Sequence, residues 1–235
     1  MRAESERIFL DFFKVPDDAP ERLRPGVYAV HNHGPPGRRT QIILLDTRSF
    51  RGPLKRAEPT ASCPKAHYVA NPDVATTLLG AAQWSWLEQQ LRQPADLRVI
   101  VSSIQVIPDQ QCFEKWGNLP HERQRLFELI GATAATGIVL VSGDRHLAEI
   151  SRLDHPAIGY PLYEVTASGM NSAGAGQGEV NRFRTTKDNF RRDNFGLIEV
   201  DWSQPDPALR LQVLDTDGAL RMEQSLRLSQ LRPAR

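Results

Sequence analysis

The residues with the clearest chemical capacity lie in one stretch, Gly137-Ile-Val-Leu-Val-Ser-Gly-Asp-Arg-His146. Ile138 to Val141 form a short continuous apolar run, the pattern of a strand buried on both faces. The run ends in Ser142, Gly143, Asp144, Arg145 and His146. A buried strand that delivers Asp and His to its carboxyl end matches an open α/β sheet, where ligands bind beyond the strand ends. Asp144 and His146 are oxygen and nitrogen donors suited to Zn, Fe or Mn. Gly143 is expected to supply the sharp turn between strand and site. A polar turn with a capping Asp has the same short pattern, so the neighbouring strand ends have to decide between the two.

Two further strand-like segments end in polar groups. Ile42-Ile-Leu-Leu45 runs into Asp46-Thr-Arg48, and Leu97-Arg-Val-Ile-Val101 runs into Ser102 and Ser103. If the three strands lie side by side, these groups meet in one crevice. The planar guanidinium of Arg48 suits phosphate oxygens. Asp46 reads either as an acceptor that orients Arg48 or as a strand-end cap. There is no Gly-x-x-x-x-Gly-Lys loop for a nucleotide and no Gly-x-Ser-x-Gly elbow for an acyl-transfer serine. Metal-assisted phosphoester hydrolysis fits these residues better than either.

The elements that must hold the three ends are legible from periodicity. Residues 2–13 read as a helix with Ile8, Phe9, Phe12 and Phe13 on its apolar face. Residues 27–33 and 40–46 read as a hairpin about Gly34-Pro-Pro-Gly37. Residues 51–78 lack periodicity and read as a surface excursion. Helices are expected over 79–93, ending before Pro94, and over 121–133, each followed by an apolar strand. That alternation is the signature of parallel βαβ units. A further strand is expected at 163–166, then a long loop to Asn194, and finally antiparallel strands at 195–200 and 209–228 about Asp217-Gly218. The reading is one α/β domain over 1–235 with antiparallel β last.

Composition narrows the partners. The chain of 235 residues carries a net charge of +1, so no global field draws it to nucleic acid or to an acidic membrane. The basic loop with Arg182, Arg184, Lys187, Arg191 and Arg192 reads as solvated and balanced by Asp188 and Asp193 rather than as a nucleic-acid platform. No apolar run is long enough to cross a bilayer, and no export signal is legible, which leaves location open. Cys63 and Cys112 form no metal-type pair and read as free thiols rather than a disulfide. His31 and His33 read as a solvated hairpin end rather than as ligands, and Trp84 and Trp116 as packing.

Taken together, Ile43-Leu-Leu-Asp-Thr-Arg48, Leu79-Gly-Ala-Ala-Gln-Trp-Ser-Trp-Leu87, Val99-Ile-Val-Ser-Ser103 and Val139-Leu-Val-Ser-Gly-Asp-Arg-His146 resemble a known family. Tyr163-Glu-Val-Thr-Ala-Ser-Gly169 and Asn194-Phe-Gly-Leu-Ile-Glu-Val200 continue the resemblance in order. It is to the PhoD-like alkaline phosphatases and phosphodiesterases, a branch of the calcineurin-like metallophosphoesterases. The resemblance implies a four-layer α/β sandwich, a centre of divalent or trivalent ions (Fe, Ca, Zn or Mn), and a phosphomonoester or phosphodiester substrate. Asp144 and His146 match the family's late Gly-Asp-x-His metal motif. The family's earlier metal motifs have no equivalent here, so the sequence reads as the C-terminal part of the catalytic domain. Two expectations follow: weak metal binding by this chain alone, or a degenerate domain that at most binds phosphate compounds. Unpaired sheet edges are expected to promote self-association.

Overall fold

A computed structural model describes residues 2–61, 63, 67–175 and 179–233. Its elements follow the chain as helix α1 (Arg2–Phe12), strands β1 (Ala29–His33), β2 (Thr40–Leu44), β3 (Lys55–Ala57) and β4 (His67–Val69), and helix α2 (Gly80–Leu91). Then come β5 (Leu97–Ser102), α3 (Pro120–Ala132), β6 (Ile138–Ser142), β7 (Ala148–Asp154) and β8 (Pro161–Ala167). The chain closes with β9 (Asn194–Asp201), β10 (Ala208–Asp215) and β11 (Leu220–Arg227).

The continuous apolar runs become central strands. A six-stranded sheet has the order β1-β2-β5-β6-β8-β7, in which β2, β5, β6 and β8 are parallel neighbours. The hairpin β1–β2 and the antiparallel β7 close its two sides. Register aligns Leu44, Val101, Val141 and Val165 in one row, so β2, β5 and β6 reach their carboxyl ends together. Gly137 sits at φ 69° where β6 enters beside β5, and a Cβ there would lie 2.2 Å from the Asp96 carbonyl oxygen. Only glycine meets both demands.

Two helices cover one face of this sheet. Ile43, Ile100 and Leu140 are fully buried with Trp84 of α2 and with Trp116, whose rings meet edge to face at 6.2 Å. Helix α2 has no side-chain cap of its own. Glu122 of α3 instead holds the two residues just before the helix, its Oε2 accepting from Leu78 N at 2.6 Å and Leu79 N at 3.3 Å. The same carboxylate accepts Trp84 Nε1 at 3.0 Å, so one buried charge joins both helices. Pro120 starts α3, where its missing N–H costs nothing.

The three-stranded meander β11-β10-β9 packs its apolar side, with Leu209, Leu211 and Val213 fully buried, toward β8 and β7. It covers only that side of the large sheet. Ile42, Leu44, Val99, Val101 and Val141 on the β2–β5–β6 side remain half-buried. Helix α1 likewise turns Ile8, Phe9, Phe12 and Phe13 outward and buries Leu10. The expected amphipathic face therefore exists but has no cover among the described residues.

Several expectations need correction. The segment 51–78 contains the short antiparallel pair β3–β4. Strand β7 is an addition, and its free edge is met by the long loop through bridges Ala148–Phe190 and Ser151–Arg184. Cys63 and Cys112 are not free thiols: they form a disulfide with Cα atoms 5.8 Å apart, joining segments 49 residues apart in sequence.

Candidate metal and phosphate site

The carboxyl ends of β2, β5 and β6 do lie side by side, and the turn after β6 carries Asp144 and His146 to the surface. The turn is not made by Gly143, whose backbone is unexceptional. Asp144 and His146 themselves take left-handed conformations, at φ 69° and 54°. Each such non-glycine residue costs about 1–3 kcal/mol, a kind of strain that collects at functional sites. Alternation of left-handed residues keeps both side chains exposed while Arg145 between them is buried. Arg145 pairs with Glu179 at 2.5 Å and lies over the Phe113 ring at 4.4 Å. The middle residue anchors the turn and the outer two face solvent.

Arg48 comes to the same place from β2. Its Nη2 lies 3.7 Å from Asp144 Oδ1, while Nη1 donates to Glu114 Oε2 at 2.5 Å. Arg51 Nη1 donates to the same Glu114 oxygen at 2.7 Å. Glu114 and Arg51 carry no periodic signal in the sequence, because both lie in irregular segments. Only the fold brings them to the strand ends.

Asp46 is placed as the strand-end cap, not beside the Arg48 guanidinium. Its carboxylate is buried and accepts the backbone N–H groups of Val27, Arg48 and Ser49 and the Ser49 hydroxyl. Burial alone would raise its pKa, but these donors outweigh it and hold the carboxyl below its ordinary value. Asp46 thus fixes the turn from which Arg48 projects, and is not free to reach a ligand. Ser102 is also structural: its hydroxyl accepts Trp116 Nε1 at 3.0 Å and donates to Ile104 O at 2.7 Å. Ser103 is exposed and bonds Thr47 through their hydroxyls.

Other candidates stay apart. His31 and His33 are exposed near the β1–β2 turn, at the opposite end of β2 from Asp46. His121 bonds the Thr76 carbonyl at 2.7 Å. Two arginines of the basic loop pair with acids other than Asp188 and Asp193. Arg182 pairs with Asp109 at 2.6 Å and Arg184 with Glu149 at 2.7 Å, the second pair buried. A cavity of about 460 Å³ lies between Arg38, Asp96, Trp202 and Arg232, at the amino ends of the parallel strands. The strand-end groups lie at the other pole, so volume does not mark the site.

The PhoD-like phosphatase profile matches residues 18–211. This chain belongs to the PhoD-like phosphatase family. A solved structure of PhoD superposes with a TM-score of 0.62 at 18% identity, covering 94% of this chain and 48% of that one. That likeness shows the α/β sandwich fold, and the chain spans about half the length of the solved PhoD chain. No curated protein matches it.

PhoD-like phosphatases are metal-dependent in general, so the donors must be tested for fit. In kind they fit: Asp144 and His146 offer O and N from alternate positions of one turn. The Arg48 contact of 3.7 Å leaves the Asp144 carboxylate without a close hydrogen bond from that group. In number they fall short, since even an open zinc site has three protein ligands. Among the described residues no group of three or more His, Cys, Asp and Glu side chains could hold an ion.

Proposed function

We propose that this chain carries part of the phosphoester-hydrolysing site of a PhoD-like phosphatase, at the carboxyl ends of β2, β5 and β6. The observation that carries this reading is the left-handed placement of Asp144 and His146 in one turn, with Asp144 beside the Arg48 guanidinium. Asp144 and His146 are the ligands, joined by further donors from outside the described residues. A bound metal would polarise phosphoryl oxygens and lower the pKa of a water. Arg48 binds phosphate oxygens, half-exposed at the mouth and steered by the turn that Asp46 caps. Were a cation held by Asp144, its weak 3.7 Å contact with Arg48 would be given up, leaving Arg48 Nη2 available to a phosphate oxygen.

A degenerate phosphate-binding domain is the second reading, favoured by the shortage of donors among the described residues. Metal uptake and aryl phosphate hydrolysis by the chain and by His146→Ala separate the two. The active reading expects uptake of added Zn or Mn that dialysis removes, with uptake and turnover both falling at least about 100-fold in the variant, beyond what outer-shell losses cause. Uptake and turnover indifferent to His146→Ala would refute this placement. Phosphate binding with neither uptake nor turnover would establish the degenerate reading.

A further inference from the structure

We propose that Glu114 is a positioning residue that holds Arg48 and Arg51 together as a two-guanidinium seat for a phosphate anion. The inference rests on the hydrolase reading and assigns two residues that reading does not use. One carboxylate oxygen, Glu114 Oε2, accepts from Arg48 Nη1 at 2.5 Å and Arg51 Nη1 at 2.7 Å. Two guanidiniums repel each other, and a carboxylate between them removes the reason to part. The trio keeps a net charge of +1. Each arginine has five N–H donors, so most remain available after one bond to Glu114.

Glu114 is itself fixed before any ligand arrives. Gln111, buried, donates to the Glu114 carbonyl at 2.8 Å and accepts Phe113 N at 2.5 Å. Lys115 N donates to Asn118 Oδ1 at 2.9 Å, and the Cys63–Cys112 disulfide ties the segment down on the other side. The Glu114 and Arg51 side chains are only 18% and 20% exposed, against 50% for Arg48. An exposed ion pair would contribute little, but the Glu114–Arg51 pair lies mostly out of water and gives the half-exposed Arg48 a fixed partner at the mouth of the site. Pre-paid ordering of that kind raises affinity for the anion.

The sign of one substitution tests the idea. Glu114→Gln deletes a negative charge near an anion site, which by Coulomb attraction alone tightens phosphate binding. Positioning predicts the opposite, because the two arginines part and turn to solvent. Calorimetric titration of inorganic phosphate into the chain, Glu114→Gln, Arg51→Ala and the double variant gives the readout, with Tm as a check on folding. Dissociation constants about 10-fold higher are expected in each single variant, roughly 1.4 kcal/mol. The double variant should lose less than the two single losses added together, since both changes act on the same seat. Unchanged or tighter binding in Glu114→Gln overturns the proposal. Should that variant not fold, undiminished binding by Arg51→Ala overturns it instead. Phosphate binding absent from the unaltered chain would remove the hydrolase reading and this inference with it, an outcome distinct from the other two.

Discussion

Lys115 holds an ammonium group where water scarcely reaches, at 6% exposure. Burial, with the Arg145 guanidinium adding to it, pushes its pKa down to about 8, while Asp109 and Glu179 partly oppose the shift. Because the folded value lies below the ordinary 10.5, the folded chain releases this proton first on raising pH. Stability therefore rises from about pH 8 toward pH 10, with a slope of at most about 1.4 kcal/mol per pH unit. Tyr160, which burial holds protonated beyond its ordinary range, reverses the trend only above pH 10. Denaturant unfolding at pH 7 to 10 should show this rise in the unaltered chain and a flat profile in Lys115→Met. A Lys115→Met profile that keeps the slope would remove Lys115 as its source.

At the level of single residues, strand ends were legible in the sequence but the contacts made there were not. Asp144, His146 and Arg48 all stand at strand ends because apolar runs mark strands and polar residues follow them. The Glu114 bridge has no such marker, since it depends on two loops meeting. The Cys63–Cys112 pair was illegible for the same reason: the two lie 49 positions apart, and β4, α2 and β5 form between them before the sulfurs meet. Gly143 misled because Asp and His tolerate left-handed backbone better than most side-chain-bearing residues.

Among the elements, the α2–α3 pair depends on one carboxylate. Burial would raise the pKa of Glu122, but hydrogen bonds from Leu78, Trp84, Thr77 and Leu79 prevail and lower it. Glu122→Ala strands the Leu78 and Leu79 N–H groups just ahead of α2 and the Trp84 indole in the core, a loss of roughly 2–4 kcal/mol. For a domain of this size that lowers Tm by roughly 5–12 °C. Glu122→Gln keeps the volume and tests the charge. Its deficit should be full above the ordinary carboxyl value of 4.5 and shrink as pH falls through the depressed folded value. A deficit constant from pH 7 to 3 would show that shape, not charge, matters there.

Strands and helices with a clean period were legible, and those built on buried polar pairs were not. Strand β7, Ala148-Glu-Ile-Ser-Arg-Leu-Asp154, buries Glu149 and Ser151 along with Ala148 and Ile150, so neither alternation nor an apolar run marks it. Its polar residues are satisfied from afar: Glu149 by Gln105 and Arg184, Ser151 by Asn181. The long loop after β8 looked structureless for the complementary reason, because its order comes from lying against that strand.

For the whole molecule, the decisive feature is apolar surface left without cover. A parallel sheet is normally buried on both faces, yet the β2–β5–β6 side keeps Ile42, Leu44, Val99, Val101 and Val141 only half-buried. Phe12 and Phe13 at the end of α1 are 77% and 60% exposed, and β1 is an edge with one strand partner. The opposite edge of the six-stranded sheet is shielded by the loop against β7, so in that sheet the exposed edge is β1. Apolar patches of this kind favour association of copies in water. Light scattering with size exclusion at about 10–100 μM should therefore find species larger than 26.4 kDa that dissociate on dilution. The double substitution Phe12→Ser, Phe13→Ser removes the most exposed rings and should shift the distribution toward monomer while Tm holds, since neither ring belongs to the buried core. A monodisperse monomer across that range would mean that the half-buried sheet face is tolerated in water as it stands. Association unaffected by the substitutions would move its origin from α1 to the sheet face and the β1 edge.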